Sequence, residues 1–343
     1  MLPGSLAQHL PPVRSVVTGT GHAVPERVVT NDELAGLMDT SDEWIRARTG
    51  IQERRWIREG DTGVGLAAQA ARQALAAAGL EAAGLEAIVY ATSTPDHFAP
   101  GNGVFLQRAL GITGTLPAID IRMQCAGFIY ALSVADAWIR TGMFRRILVV
   151  GQEIQSTRMD VSTAGRYTAV IFADGAGAVL LEATDATDRG VLAFDLHSEG
   201  QHAEKLWADC PGAVDPLSKW KTRIDEGRCW LQMDGREVFR HAVTRMPESV
   251  QAVLTRAGEG LPDVKLLIAH QANLRISEAI QKTLGLSDAQ VFNNIQRYGN
   301  TTAATIPIAL DESVRGARLV AGDLVVLTAF GSGFVWGSCV LRW

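Results

Sequence analysis

The sequence predicts an α/β protein whose sheets are covered on both faces by helices. Short runs rich in Val, Ile and Leu alternate with Ala-rich segments of helical length, which is typical of strand–helix–strand units. The strand-like runs are almost continuously apolar, as expected for parallel strands buried on both faces. The second half of the chain repeats this alternation, so we also expect a duplicated fold.

The first half contains two clear helix–strand pairs. An Ala-rich helix is predicted over residues 64–78, and AIVYAT at 87–92 predicts a buried strand. Apolar residues at helical spacing predict a second helix over 128–140, and ILVVG at 147–151 predicts the strand that follows it.

The second half has the same kinds of elements. They are strand 264–270, helix 276–284, helix 302–313 and strand 324–330, which ends in Gly-Ser-Gly. A small-residue turn, a buried helix, a bend and an apolar strand ending at glycine occur at 125–151 and again at 300–331. The chain therefore carries a weak internal duplication.

A cluster of Asp and Gly residues around 187–190 marks the boundary between the two halves. We place the halves at 16–188 and 189–343. Residues 1–15 contain prolines and lack a long apolar stretch, which predicts a loose tail rather than a signal peptide. Residues 201–228 are irregular, and they fit either a functional lid or an insertion with its own small apolar cluster.

The composition is that of a globular protein without a basic bias. Among 343 residues, 32 Lys and Arg face 37 Asp and Glu, a formal net charge of −5, so no nucleic-acid partner is expected. No apolar run approaches the roughly 18 residues of a membrane span, so no membrane partner is expected either. Four scattered cysteines without C-x-x-C spacing predict neither a disulfide scaffold nor a zinc site, and they favour a cytoplasmic location.

Three residues are candidates for chemistry. Cys125 follows a strand-like segment and begins a helix-like one, where the helix macrodipole would favour a nucleophilic thiolate. The alternative is a buried structural cysteine, which is what we expect of the other three. His270 ends a predicted strand, where sites of α/β proteins form, and Asn300 precedes a predicted helix. Taken singly, His270 and Asn300 would equally serve as cap or turn residues.

The usual cofactor motifs are missing from the sequence. Gly19-Thr-Gly21 lacks the third glycine of a dinucleotide fingerprint, and there is no P-loop, G-x-S-x-G or H-E-x-x-H. Phosphoryl transfer, nicotinamide chemistry and zinc hydrolysis therefore lose their support, and no metal or redox cofactor is expected.

Taken together, the motifs resemble those of β-ketoacyl-acyl-carrier-protein synthase III. They include Cys-Ala-Gly-Phe at 125–128, Ile-Ala-His-Gln-Ala-Asn-Leu-Arg-Ile at 268–276 and Tyr-Gly-Asn-Thr-Thr-Ala-Ala-Thr at 298–305. Further matches run from Thr-Ser-Asp-Glu-Trp-Ile at 40–45 to Ala-Phe-Gly-Ser-Gly-Phe at 329–334, so the resemblance is nearly end to end. It implies a thiolase-like duplicated fold of five αβαβα layers and a homodimer.

The resemblance also implies a mechanism. Cys125 would attack an acyl-CoA primer and hold the acyl group as a thioester. Malonyl-acyl carrier protein would then lose CO₂ and attack the acyl-cysteine, initiating fatty acid synthesis, while His270 and Asn300 donate hydrogen bonds to the malonyl thioester oxygen. The backbone N–H groups of Cys125 and Ser332 would form the oxyanion hole, although the family more often has glycine in place of Ser332. Coenzyme A enters as a thioester substrate, and no bound cofactor is implied.

Substrate contacts follow from the resemblance position by position. Trp44 and Arg166 match a pair that sandwiches the adenine ring of CoA, and Arg48 and Thr49 match residues near the nucleotide. The pantetheine tunnel and the aromatic residue beside the cysteine correspond to Ile171, Phe239, Asn273 and Phe330. Basic positions that would steer the acidic carrier protein are Arg240, Arg275 and Lys282, each of which would equally be an ordinary solvated side chain.

Three departures from the family pattern bear on the substrate. Ala99 stands where members that use acetyl primers have a bulky phenylalanine, which predicts room for a longer acyl chain, although Phe98 could swing in. Ile-Arg-Met-Gln at 121–124 and Tyr167 replace smaller residues. Both resemble condensing enzymes or acyltransferases of quinolone or polyketide metabolism, which are the alternative function.

Three further alternatives are disfavoured. A thiolase would need a second catalytic cysteine, and a hydroxymethylglutaryl-CoA synthase would need a catalytic glutamate in a matching motif. An inactive partner subunit would typically have lost the nucleophile, whereas Cys125, His270 and Asn300 are all present.

Overall fold

A computed structural model of the chain describes residues 13–209, 212–214 and 216–343. The strands are β1 Arg14–Ala23, β2 Val28–Thr30, β3 Glu53–Arg55, β4 Ala87–Ala91, β5 Ala118–Ile121, β6 Arg146–Glu153, β7 Gly175–Thr184, β8 Gly190–Ser198, β9 Leu206–Trp207, β10 Gln232–Met233, β11 Val264–Ala269, β12 Leu324–Gly331 and β13 Val335–Arg342. The α-helices are α1 Asn31–Ala35, α2 Asp42–Thr49, α3 Gly63–Ala78, α4 Asn102–Ala109, α5 Gly127–Arg140, α6 Arg166–Ala169, α7 Trp220–Asp225, α8 Gly235–Ala257, α9 Leu274–Leu284, α10 Ile295–Tyr298 and α11 Thr305–Arg315.

Two sheets carry the architecture. The first has the strand order β1-β7-β6-β4-β5, and the second has the order β11-β12-β13-β8. Parallel pairing holds for β4 with β5 and β6 and for β11 with β12, as the sequence predicts. The prediction of wholly parallel sheets is wrong for the other pairs, which are antiparallel. The tight turn between β12 and β13 explains one of them, because a parallel partner would need a long crossover.

The layers follow from which faces are apolar. Helices α5 and α11 are buried between the two sheets and share one core cluster with both of them. Helices α3 and α4 cover the outer face of the first sheet, and α8 and α9 cover the outer face of the second. The result is the five-layer αβαβα arrangement of the thiolase-like fold.

The close contact between β1 and α3 depends on glycine. A Cβ atom at Gly19 would lie 2.0 Å from the carbonyl oxygen of Ala74, and one at Gly21 would lie 2.3 Å from that of Ala70. The Gly-Thr-Gly segment therefore serves strand–helix packing, and the Ala-rich face of α3 complements it.

The two sheets divide the chain at the point where β7 ends and β8 begins, between Thr184 and Gly190. The assignment of 16–188 and 189–343 as two domains stays a prediction. The predicted loose tail at 1–15 is too long, because Arg14 and Ser15 belong to β1 and the hydroxyl of Ser15 donates to Asp136. Residues 1–12 lie outside the described part of the chain.

The irregular segment contains short elements of its own. A 3-10 helix at Gly200–Lys205 leads into β9, which pairs with β10 beyond α7. Within the described residues, no helix is both long and apolar enough to cross a lipid bilayer.

Candidate active site

A cavity of about 320 Å³ lies where the two halves of the chain meet. The first half supplies a set of polar and sulfur-bearing side chains, Ser93, Thr94, Arg122, Cys125, Gln155 and Arg158. The second half supplies mainly aromatic, aliphatic and hydroxyl side chains, Leu206, Trp207, Trp220, Leu231, Thr302 and Ser332. A single reactive thiol in a mixed polar and apolar cleft is a typical arrangement for an acyl-transfer site.

Cys125 sits in a 3-10 turn, Gln124–Ala126, between β5 and α5. Gln124 has a φ of 44°, a left-handed conformation that a residue with a Cβ adopts only when its surroundings require it. Gly331 at the end of β12 faces the cysteine so closely that a Cβ there would lie 3.1 Å from Sγ. The backbone on both sides thus fixes the position of the sulfur atom.

Burial dominates the ionisation of this thiol. Loss of solvent, together with the negative charge of Glu153, raises the pKa of Cys125 to about 12. The backbone N–H groups of Cys125 and Ser332 act in the opposite direction. The expectation that the start of a helix makes this residue a thiolate is therefore wrong for the free protein, because desolvation outweighs the backbone dipoles.

The same two N–H groups are the predicted oxyanion hole. Both lower the pKa of the Cys125 thiol, as donors near its sulfur would, so an oxygen on a carbonyl carbon bonded to that sulfur would lie near them. The Ser332 hydroxyl donates instead to the carbonyl oxygen of Leu206. The serine side chain is therefore turned away, and only its backbone faces the thiol.

His270 follows directly after β11, and its backbone N–H donates to the carbonyl of Thr328 at 2.8 Å. The imidazole is 3% exposed, and burial lowers the pKa of His270 to about 3, so the ring is neutral. Its Nδ1 lies 2.7 Å from the hydroxyl of Thr305. A neutral ring held in this way can present one fixed nitrogen to a ligand.

Asn300 is held by its backbone on both sides. Its N–H donates to Ile171 and its carbonyl accepts from Ala173, each at 2.9 Å. The side-chain Oδ1 accepts from the N–H of Thr302 at 2.8 Å. The amide nitrogen has no partner among the described residues, so it remains available as a donor to a ligand.

Hydrogen bonds connect Asn300 to His270. The side chain of Asn300 accepts from the N–H of Thr302, and the hydroxyl of Thr305 lies 3.0 Å from the carbonyl oxygen of Thr302 and 2.7 Å from Nδ1 of His270. The turn Thr302–Ala304 packs against the turn that carries Cys125. The structure thus brings the three predicted residues to one region, although only Cys125, and neither His270 nor Asn300, lines the cavity.

The predicted adenine site forms a compact cluster around one indole ring. The guanidinium carbons of Arg48 and Arg166 lie 4.2 and 5.2 Å from the centre of the Trp44 ring, and the Tyr167 ring lies 5.7 Å away. A flat base would have to displace one of these groups to stack on Trp44. Thr49 is buried and its hydroxyl donates to the carbonyl of Ile45, so its place near the nucleotide stays a prediction.

The predicted tunnel residues connect that cluster to the second half. Asn273 caps α9 and donates to the carbonyl of Arg48 at 2.9 Å. Ile171 packs partly buried in the same apolar cluster as Trp44, and Phe239 packs against the core beneath α8. Phe330 is 4% exposed and contacts Phe334 rather than the cavity itself. None of these four residues lines the cavity.

Ala99 is exposed and does not line the cavity of this chain. Its neighbour Phe98 does, even though 87% of its surface is exposed. Within this chain Phe98, rather than Ala99, lies at the cavity, in keeping with the expectation that Phe98 could swing in. The role of Ala99 in the primer pocket stays a prediction.

The predicted carrier-protein residues lie on the adjacent helices α8 and α9. Arg240 is ion-paired with Glu237 at 2.6 Å, which reduces its free charge. The guanidinium of Arg275 lies 5.8 Å from the ring of Phe239, and Lys282 is in the last turn of α9. Arg275 and Lys282 are exposed cations near the predicted tunnel.

Two buried side chains of the site were not predicted. Glu153 accepts hydrogen bonds from the Ser93 N–H at 3.0 Å and the Thr94 hydroxyl at 2.6 Å. Thr305 contacts His270 as described above. No motif contains Glu153, and Thr305 ends the motif at 298–305 without a role being predicted for it, since the roles of both residues depend on partners 60 and 35 positions away in the chain.

One group of described residues, Glu199, His202 and His241, places three metal-ligating atoms within 4.8 Å of one another. Nη2 of Arg240 lies 2.9 Å from Nε2 of His241, and Arg245 pairs with Glu199 at 2.6 Å. Because two guanidinium groups already bring positive charge to this cluster, we assign no metal to it.

The remaining cysteines differ from one another. Cys339 is a free buried thiol, as expected of a structural cysteine. Cys229 lines the cavity and is disulfide-bonded, so the expectation of an unpaired structural residue is wrong there. Cys210 lies outside the described residues.

Comparisons with known proteins agree over nearly the whole chain. Two family models, 3-oxoacyl-[acyl-carrier-protein] synthase III and its C-terminal part, match residues 119–200 and 254–343. The beta-ketoacyl-[acyl-carrier-protein] synthase III of Rhodobacter capsulatus is 46% identical over 335 residues, covering 96% of this chain and 99% of the relative.

Solved structures show the same similarity. The 3-oxoacyl-[acyl-carrier-protein] synthase III of Aquifex aeolicus VF5 has a TM-score of 0.88 and 40% identity, covering 96% of this chain and all of that one. A priming beta-ketosynthase from the R1128 polyketide biosynthetic pathway also has a TM-score of 0.88, with 30% identity and 98% of each chain covered.

Proposed function

The chain belongs to the β-ketoacyl-[acyl-carrier-protein] synthase III family, and from that premise we propose how its residues perform the condensation. Enzymes of this family are acyltransferases that join an acyl-CoA primer to malonyl-acyl carrier protein and so initiate fatty acid synthesis. The relatives at 43–46% identity carry this name, whereas the polyketide ketosynthase is 30% identical. Fatty acid initiation is therefore favoured over secondary metabolism.

In the first half-reaction, Cys125 takes the acyl group from CoA. The sulfur bonds to the thioester carbonyl carbon, the bond to the CoA sulfur breaks, and the thiol proton leaves with CoA as its free thiol. The N–H groups of Cys125 and Ser332 stabilise the oxyanion of the tetrahedral intermediate. The observation that carries this proposal is that Cys125 is a buried free thiol that lines the cavity together with Ser332, with Gly331 held against its sulfur atom.

In the second half-reaction, malonyl-acyl carrier protein replaces CoA in the cavity. His270 and the Asn300 amide donate to the malonyl thioester oxygen, which gains negative charge as the bond to CO₂ breaks. The resulting carbanion attacks the acyl carbon, the bond to the Cys125 sulfur breaks, and the released thiolate takes a proton from water to restore the thiol. A neutral imidazole suits this role, because an imidazolium would bind the malonyl carboxylate and hold back its loss.

The contacts with the larger substrates involve exposed rings and cations outside the cavity. Trp44 with Arg166 and Arg48 would bind the nucleotide of CoA, since aromatic and guanidinium faces stack on a base. Arg275 and Lys282, with the partly neutralised Arg240, would guide the acidic carrier protein.

We also propose that the enzyme is a cytoplasmic homodimer. A reducing compartment would keep the nucleophile a free thiol, and it would also reduce the disulfide of Cys229. The exposed ring of Phe98 at the mouth of the cavity would be covered by a second copy of the chain.

Single substitutions should separate the two half-reactions. Cys125→Ala should abolish both, whereas His270→Ala and Asn300→Ala should acylate normally and lose condensation by about 10²–10³-fold, the usual cost of one oxyanion donor. The measurement is transfer of label from acyl-CoA to protein, followed by CO₂ release from malonyl-acyl carrier protein. Equal loss of both steps in the His270 and Asn300 variants would refute these roles.

A further inference from the structure

Nδ1 of His270 has a single hydrogen-bonding partner among the described residues, the hydroxyl of Thr305 at 2.7 Å. The imidazole is buried and neutral, so only one of its two ring nitrogens carries a proton. Whichever group bonds Nδ1 therefore determines whether Nε2 is a donor or an acceptor.

The hydroxyl of Thr305 has two neighbours and one proton. Besides His270, it lies 3.0 Å from the carbonyl oxygen of Thr302. That oxygen already accepts the backbone N–H of Thr305. The carbonyl thus stays satisfied when the hydroxyl proton is given to Nδ1, and no buried acceptor is left unpaired.

We propose that Thr305 is a positioning residue for condensation, whose hydroxyl donates to Nδ1 of His270 and thereby keeps the imidazole proton on Nε2. This inference rests on the proposed function, in which Nε2–H donates to the malonyl thioester oxygen. In the opposite arrangement, Nδ1–H would donate to Thr305 and the hydroxyl to Thr302. Nε2 would then present a lone pair to the developing oxyanion, and a donor would be lost.

The second donor, the side-chain amide of Asn300, is oriented in a comparable way. The N–H of Thr302 holds Oδ1 of Asn300, which leaves the amide nitrogen as the end of that side chain free to donate. The short segment from Thr302 to Thr305 therefore orients both donors, one by a backbone N–H and one by a hydroxyl.

The test uses the full-length enzyme and three substitutions. Thr305→Val removes the hydroxyl and keeps the shape of the side chain, and Thr305→Ser restores a hydroxyl. Ser313→Ala is the matched control, since its buried hydroxyl lies on the same helix and bonds the carbonyl of Ala309 instead of an imidazole. Each variant is assayed separately for acylation by acyl-CoA and for condensation, and ¹⁵N NMR of histidine-labelled protein reports which nitrogen of His270 is protonated.

We expect wild-type His270 to be protonated at Nε2. Condensation by Thr305→Val should fall at least about tenfold, while its acylation rate stays within about twofold of wild type. Both the acylation and the condensation rate of Ser313→Ala should stay within the same limit. Thr305→Ser should recover most of the lost rate. A partly populated second tautomer in the Thr305→Val spectrum would explain the loss.

Two results would overturn the inference. One is protonation of Nδ1 in the wild-type enzyme, which needs no variant and holds even if Thr305→Val fails to fold. The other is condensation by Thr305→Val as fast as by Thr305→Ser. A different result would refute the proposed function itself, namely condensation by His270→Ala at the wild-type rate.

Discussion

The thiol of Cys125 illustrates how burial and nearby charge act on a single residue. Its pKa is raised by loss of solvent and by Glu153, so the free enzyme holds a protonated thiol. Glu153 is itself buried, and burial raises the pKa of its carboxyl from 4.5 to about 7 despite hydrogen bonds from Ser93 and Thr94. The free-energy cost of removing solvent from the carboxylate is larger than the stabilisation that these hydrogen bonds give it.

The raised pKa of Glu153 predicts how stability depends on pH. The folded protein binds the Glu153 proton more tightly than the unfolded chain does. The protonated carboxyl therefore makes its full contribution to stability below about pH 4.5, and this contribution is lost as the pH rises through about 7. Between pH 5 and 8 the wild type should lose up to about 3 kcal/mol of unfolding free energy relative to Glu153→Gln. Urea unfolding at both pH values measures this difference.

Glu182→Gln is the control for that experiment, since Glu182 lies on β7 beside β6 and is only partly buried. The free energy of unfolding of the Glu182→Gln variant should depend on pH in the same way as that of the wild type. Parallel pH profiles for Glu153→Gln and wild type would contradict the assigned ionisation of Glu153.

The sequence predicts the reacting residues better than the residues that tune them. Cys125, His270 and Asn300 have roles that the family motifs indicate. Thr305 ends the motif of Asn300 without a predicted role, and Glu153 lies in an ordinary apolar strand segment. Their importance comes from contacts made only in the folded chain. For the same reason the thiolate expectation fails, because a sequence shows a helix start but not the depth at which it is buried.

At the level of elements, the turn that follows β12 approaches the turn that carries Cys125. A Cβ at Gly331 would lie 2.7 Å from Cβ of Cys125 and 3.1 Å from its backbone nitrogen. Only a residue without a side chain allows the two segments to come this close. The next residue in the chain is Ser332, whose backbone N–H is the proposed oxyanion donor. The distance between the two turns therefore sets the position of that donor relative to the thiol.

Gly331→Ala should therefore damage catalysis more than folding. The added methyl group must push the two turns apart, and a displacement of about 1 Å can cost about 10²-fold in rate. We expect the acylation rate to fall toward that limit, while stability falls by about 1–3 kcal/mol, as for an overpacked core. Stopped-flow acylation and thermal unfolding give the two values.

Gly114→Ala serves as the control for crowding, because a Cβ there meets nothing within 4 Å. It should keep wild-type acylation. If Gly331→Ala acylates as fast as Gly114→Ala, the two turns are not held at the separation described above.

Element positions were predicted to within a few residues wherever the apolar period is long, as in α3, α5 and β12. The direction of the antiparallel strands is not predictable in this way, because partners such as β1 and β7 are far apart in sequence and share no local signal. The short elements within 201–228 were also missed, since two-residue strands have no period to detect.

For the whole molecule, the duplication explains why one site needs both halves. Cys125 lies beside α5 of the first half, and the segment with Asn300, Thr302 and Thr305 leads into α11 of the second. These two helices form the shared central layer, so the turns that precede them meet. Each half alone would supply either a nucleophile or a pair of donors.

Intact-protein mass spectrometry tests this central claim most directly. The purified enzyme is incubated with acetyl-, butyryl-, hexanoyl- or octanoyl-CoA, weighed, and then given malonyl-acyl carrier protein. We predict one acyl adduct per chain that maps to the peptide of Cys125, disappears on adding malonyl-acyl carrier protein, and persists in His270→Ala. An adduct on Cys125→Ala, or one that His270→Ala discharges as fast as wild type, would contradict the account.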